Sequence, residues 1–164
     1  DRILQLLKGS SASVAQNQAA IDLAFDLGFM TAGHFIIGVP EETEEDLHLT
    51  YNFILRNLRG GKLPSPTTTI LTPFPGANYW QVLLDREPGT TLLNFRWERL
   101  EENGFASYYS ETKGTVDEWW DYRETNQKVY LGGLPKKHFF DIVRTYQPEI
   151  TAEQAKCVSK DYRY

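Results

Sequence analysis

Apolar residues recur along this chain at two periods, near 3.6 and in short unbroken runs, and the switches between them lay out its elements. Residues 2–8 carry Ile3, Leu4, Leu6 and Leu7 and read as the end of a helix, closed by Gly9. Ser13 is a good N-cap for a second helix over 14–27, where Val14, Ile21, Ala24, Phe25 and Leu27 fall near helical spacing and Gly28 ends the run. From Met30 to Val39 the pattern changes. Phe35-Ile36-Ile37, bounded by Gly33 and by Gly38-Val39-Pro40, predicts a short strand apolar on both faces, as in a buried parallel sheet.

Thr43 then opens a third helix, with Asp46 at the reciprocal capping position and an acidic first turn that suits the helix dipole. Its stripe is Leu47, Tyr51, Ile54, Leu55 and Leu58, and Gly60-Gly61 stops it. Pro64 and Pro66 mark a loop, residues 67–72 form a β-branched strand, and Pro73-Phe74-Pro75-Gly76 breaks it. A helix over 77–86 follows, with Tyr79, Trp80, Leu83 and Leu84 as its apolar set. The alternation predicts an α/β fold of parallel strands joined by crossover helices, with ligands at the C-terminal strand ends.

Past Pro88 the pattern is mixed and rich in aromatics, among them Phe95, Trp97, Trp119, Trp120 and Tyr130. A short helix over 96–103 and a strand over 105–110 are the readings available. Pro135 starts a helix whose face is Phe139, Phe140, Ile142, Val143 and Tyr146, and Thr151-Ala152-Glu153-Gln154 reads as a capping box that opens a last helix.

Composition narrows the classes. The chain has 164 residues and a net charge of −5, which argues against a nucleic-acid surface. Lys136-Lys137-His138 reads as a solvated helix start. The one cysteine, Cys157, allows no intramolecular disulfide and no cysteine-held zinc or iron, and it reads as an inert helix residue in a cytoplasmic protein. No apolar run is long enough to span a bilayer. Because the chain begins at Asp1 and enters an apolar pattern at once, it reads as part of a longer polypeptide.

His34-Phe35-Ile36-Ile37-Gly38-Val39-Pro40-Glu41-Glu42-Thr43-Glu44-Glu45-Asp46 is followed at a distance by Thr72-Pro73-Phe74-Pro75-Gly76. In that order and spacing these motifs, within residues 1 to about 80, resemble radical S-adenosylmethionine (radical SAM) proteins of the cobalamin-domain-linked type, including those similar to magnesium-protoporphyrin IX monomethyl ester oxidative cyclases. The resemblance implies the C-terminal half of a partial (β/α) TIM-type barrel over 1–88 and a mostly helical, aromatic-rich extension over 89–164 packed on it. It implies S-adenosylmethionine and a 4Fe–4S cluster in the parent protein, with cobalamin on an upstream domain. The cluster's three-cysteine loop is absent here, so the chain would be inactive alone. The expected partners are the N-terminal half of the same polypeptide and a second copy meeting the exposed barrel edge. Where the family has a glycine, this chain has Glu41, which puts that turn's shape in question.

The resemblance places cofactor contacts at Ile36, Ile37, Gly38 and Val39, and at Thr72, Pro73 and Phe74. Physically, a glycine at a strand end lets a flat ring approach the backbone beside a dry wall. Each isoleucine could equally be plain core, and Gly38 and Pro40 could simply shape the turn. The acids from Glu41 to Asp46 read as a solvated helix start rather than a metal site, and His34 as a structural histidine. A non-catalytic interaction domain remains the alternative to the enzyme. An unrelated barrel enzyme would need acids at its strand ends, and only Glu41-Glu42 is available, a pair expected to point apart.

Overall fold

A computed structural model of the chain describes residues 1–100, 118 and 129–161. In chain order the elements are α1 (Arg2–Lys8), α2 (Val14–Asp26), β1 (Ala32–Ile37), α3 (Glu44–Arg59), β2 (Ser65–Ile70), α4 (Asn78–Arg86), a 3-10 turn (Trp97–Leu100) and α5 (Lys136–Asp161). The fold is α/β. The two strands pair in parallel, in register from Ala32 opposite Ser65 to Ile37 opposite Ile70. Parallel neighbours need a long crossover, and α3 supplies it. A TIM-type half-barrel is not what the described residues form, because their sheet stops at two strands.

Local sequence accounts for most of these boundaries. The Ser13 hydroxyl accepts the Gln16 N–H, and Thr43 and Asp46 form a complete capping box at the start of α3. β2 starts earlier than its β-branched run suggested. Pro66 lies within it, opposite Gly33, a place it can hold only near the start of an edge strand.

The main core lies on one face of the sheet. Ile37 from β1, the stripe Leu47, Tyr51, Ile54, Leu55 and Leu58 from α3, and Phe139, Phe140, Ile142, Val143 and Ile150 from α5 pack together. Fully burying side chains of this size contributes about 1.5–3 kcal/mol each before ordering costs. A second cluster joins Trp80 and Leu83 of α4 to Phe95 and Leu131, and Trp97 stacks on Trp80 at 5.9 Å between centroids.

Three expectations are corrected. β1 is not buried on both faces: Phe35 and Ile37 turn toward α3 and α5, whereas Ala32, His34 and Ile36 face outward. Only one side of the sheet is covered by described residues, so an unbroken apolar run behaves here as an alternating one. α2 does not bury the apolar face its spacing offered, and none of its residues is buried. It docks through polar groups instead: Gln18 and the buried Asn57 exchange side-chain amide hydrogen bonds at 2.8 and 3.0 Å, and Lys62 pairs with Asp22 at 2.7 Å. Finally, Thr151 opens no new helix. α5 runs unbroken through Pro148, and the Thr151 hydroxyl accepts from the Gln147 side chain at 3.3 Å. Buried contacts at Val143 and Ile150, on either side of the proline, hold one axis.

Of the proposed helix over 96–103, the described part is the 3-10 turn. The strand over 105–110 and the pair Trp119-Trp120 lie outside the described residues.

Candidate functional site

The C-terminal ends of β1 and β2 lie side by side, and the Leu71 N–H donates to the Ile37 carbonyl at 2.8 Å, one step beyond the last strand pair. The chain then leaves β1 through Gly38, whose φ of 76° is a left-handed conformation that L side chains adopt only with strain. A methyl group there would also sit 3.3 Å from Ile70 Cγ2 and 3.4 Å from the Tyr130 ring. Conformation therefore calls for glycine, and the space beside it is tight. Glu41 stands at the position where the resembling family has its glycine, and the left-handed glycine of this turn is Gly38.

The turn is stapled by a residue that the sequence reading assigned to solvent. Glu42 is 4% exposed, and its carboxyl Oε2 accepts the Gly38 N–H at 2.6 Å. Its own N–H donates to the Val39 carbonyl at 3.0 Å. Burial pushes the Glu42 carboxyl up to about 7; the Gly38 N–H opposes this shift, and the neighbouring Asp46 charge adds to it. The expectation that Glu41 and Glu42 diverge is met: Glu41 is exposed and accepts the Tyr79 hydroxyl at 3.0 Å. Partial burial, with this bond to Glu41, lifts the Tyr79 hydroxyl to about 12.

Other elements close on the same turn. Arg2 of α1 donates to the Glu41 carbonyl at 2.8 Å and pairs with Asp46. Gly133 donates to the Val39 carbonyl at 3.4 Å. Tyr130, whose hydroxyl donates to the Leu134 carbonyl at 3.0 Å, packs beside Gly38 and Phe139. Burial, and then the Glu42 charge, hold that hydroxyl well above the usual phenol range.

This geometry divides the seven candidate contacts. Ile37 (2% exposed), Gly38, Val39 and Pro73 are buried in the wall itself. Ile36 (38%), the half-buried Thr72 and Phe74 (60%) reach the surface at the sheet's end. The Thr72 hydroxyl donates to the Ile70 carbonyl at 3.2 Å and keeps lone pairs for an incoming donor. His34 is exposed on the open face of β1. Among the described residues no group of three or more His, Cys, Asp or Glu is arranged to hold a metal ion. Nor is any described helix long and apolar enough to cross a membrane.

Glu42 is the residue that the sequence reading missed. Five acids in six positions resemble a solvated, dipole-complementing cluster, and the burial of one depends on how the turn folds. The available signal was its spacing, four residues after the glycine that ends the strand.

No family model and no solved structure matches the chain. Two curated proteins are similar to it. Bacteriochlorophyllide d C-12(1)-methyltransferase of Chlorobaculum tepidum is 26% identical over 99 residues, covering 60% of this chain and 20% of that protein. An uncharacterized methyltransferase of Pyrococcus horikoshii, PH0819, is 30% identical over 98 residues, again 60% of this chain and 20% of the relative. The chain thus spans about a fifth of the length of the curated relatives it matches.

Both relatives are named for methyl transfer. Their names carry no radical chemistry, iron–sulfur cluster or cobalamin. On that finding the radical SAM assignment made from the motifs, with its cluster and its cobalamin domain, is corrected.

Proposed function

We propose that this chain is part of an S-adenosylmethionine-dependent methyltransferase and that the C-terminal edge of its two-stranded sheet is one wall of the methyl-donor site. The observation that carries this reading is the pair of methyltransferase-named relatives, each aligned over 60% of the chain. In support, ligands of open α/β sheets bind beyond the carboxyl ends of the strands.

The residues at that edge fit the donor's chemistry. Ile36 and Phe74 offer apolar and aromatic surface to a purine, and the Thr72 hydroxyl offers an acceptor to its exocyclic amine. Ile37, Gly38, Val39 and Pro73 act one layer back, fixing where that surface lies. S-adenosylmethionine supplies an electrophilic methyl group on a sulfonium sulfur. The Glu42 carboxyl, titrating near neutrality, holds the turn behind the wall through the Gly38 N–H. Further polypeptide, of the kind that makes up the rest of the relatives, would complete the site. We place the parent protein in the cytoplasm, in keeping with a diffusible cofactor.

Equilibrium dialysis of the parent protein, in which the site is complete, against radiolabelled S-adenosylmethionine tests the reading. Saturable retention that weakens at least about fivefold in Phe74→Ala is expected, because one well-placed aromatic contact is worth about 1 kcal/mol or more. Retention that is absent, or equal in Phe74→Ala, would contradict it.

A further inference from the structure

Away from the sheet edge, one carboxylate sits between two imidazoles. Glu44, the first residue of α3, receives His138 Nε2 from the first turn of α5 at 2.9 Å on one oxygen. Its other oxygen lies 3.5 Å from His48 Nε2, one turn along α3. The remaining nitrogen of His48, Nδ1, meets the Tyr146 hydroxyl of α5 at 2.7 Å, and Tyr146 stacks flat on the buried Tyr51 of α3 at 4.6 Å. Four side chains thus bridge α3 and α5 in one connected line.

We propose that Glu44, held between His48 and His138, is a proton-operated clasp that fastens the start of α5 onto the first turn of α3. The chemistry of each member supports two states. A tyrosine hydroxyl can donate to a neutral imidazole nitrogen or accept from a protonated one, so the contact between Tyr146 and His48 is compatible with either form of the ring. A protonated histidine adds an opposite charge to its contact with the ionised Glu44, turning a hydrogen bond with one charged partner into an ion pair, worth about 0.2–1 kcal/mol at an exposed site. Histidine side chains change charge between about pH 5 and 8. Glu44 stays ionised through that window, because the contacts from His138 and then His48 hold its carboxyl below the usual glutamate range.

On α3, Asp46 is engaged by Arg2 of α1 and by Thr43, and Glu45 is exposed beside it. On α5, Lys137 pairs with Asp141 at 3.3 Å, while Lys136 and Arg144 add positive charge to the same helix. The turn before α3 contributes Glu41, which is bonded to Tyr79, and the buried Glu42. The clasp matters for the sheet edge because the next residue after His138 is Phe139, which packs beside Gly38. The inference concerns how two helices are held and stands apart from the methyltransferase reading.

Amide hydrogen exchange of the whole chain, corrected for intrinsic rates, tests it at pH 5.5 and pH 8.0. The measurement is made in the Glu42→Gln background so that the Glu42 carboxyl does not titrate in the same window. Amides 140–143 are expected to be at least about threefold better protected at pH 5.5, and Glu44→Gln and His138→Asn are each expected to remove most of that difference. Equal protection at both pH values would overturn the proposal. So would a pH response that persists in Glu44→Gln, or one present in the wild-type chain and lost in Glu42→Gln alone.

Discussion

The Glu42 carboxyl accepts the backbone N–H of Gly38 at 2.6 Å, four residues back across the turn that leaves β1. This bond ties a titrating group to the one backbone position in the turn that requires glycine. Because burial raises the carboxyl from its usual 4.5 to about 7, the folded chain holds a proton that the unfolded chain releases between those values. Stability therefore falls as pH rises from about 4.5 to about 7 and levels off above, by roughly 3 kcal/mol at most from this group. Glu42→Gln keeps the shape and an acceptor for Gly38 and removes the titration. Urea unfolding at pH 5 and pH 8 should show the variant gaining on the wild type at the higher pH. A constant difference between the two proteins would contradict the assignment.

Gly38→Ala forces a side chain into a left-handed conformation against Ile70 and Tyr130. The strain of about 1–2 kcal/mol should lower Tm by several degrees in a chain of this size. A thermal melt that matches the wild type would show that the turn does not need glycine.

Gly133→Ala meets backbone rather than a side chain. The added methyl would lie 2.3 Å from the Pro40 carbonyl oxygen, so either the turn or the 129–135 segment must move. A cost above about 2 kcal/mol in urea unfolding is expected, as for other severe steric clashes. Full stability would mean that the two segments are not in contact.

Leu23→Ala and Phe139→Ala make a paired test of where the core lies. Leu23 on α2 is exposed, and its truncation should change stability by no more than about 0.5 kcal/mol. Phe139 on α5 is fully buried, and its truncation should cost about 3–5 kcal/mol. Similar costs at the two sites would place covering structure over α2.

The signals that were legible in the sequence were local. Ser13, Thr43 and Asp46 announced helix starts because a cap is made by residues three apart. The stripe from Leu47 to Leu58 marked the face of α3 because helical spacing and burial coincide there. What was misread depended on distant partners. Phe35-Ile36-Ile37 cannot reveal which side of a strand is covered, and the described residues cover only one. Val14, Phe25 and Leu27 have a core helix's spacing, yet α2 is seated by Gln18 and Asp22, which carry no periodic signal. Thr151 to Gln154 suggested a new helix start, yet α5 runs through it, with buried contacts at Val143 and Ile150 on either side of Pro148. Glu42 looked like its solvated neighbours until the turn brought it beneath Gly38. The sheet-edge motifs were legible as a pattern, and the relatives that share sequence with this chain changed the chemistry attached to it.

The central claim is that the sheet edge receives the methyl donor, and the most direct test is a titration of the isotopically labelled chain with S-adenosylmethionine, followed by amide chemical shifts. Saturating shifts at Ile36, Thr72 and Phe74, with smaller ones carried to Gly38 and Val39, are predicted. Shifts confined to other surfaces, or none at millimolar ligand, would contradict the account.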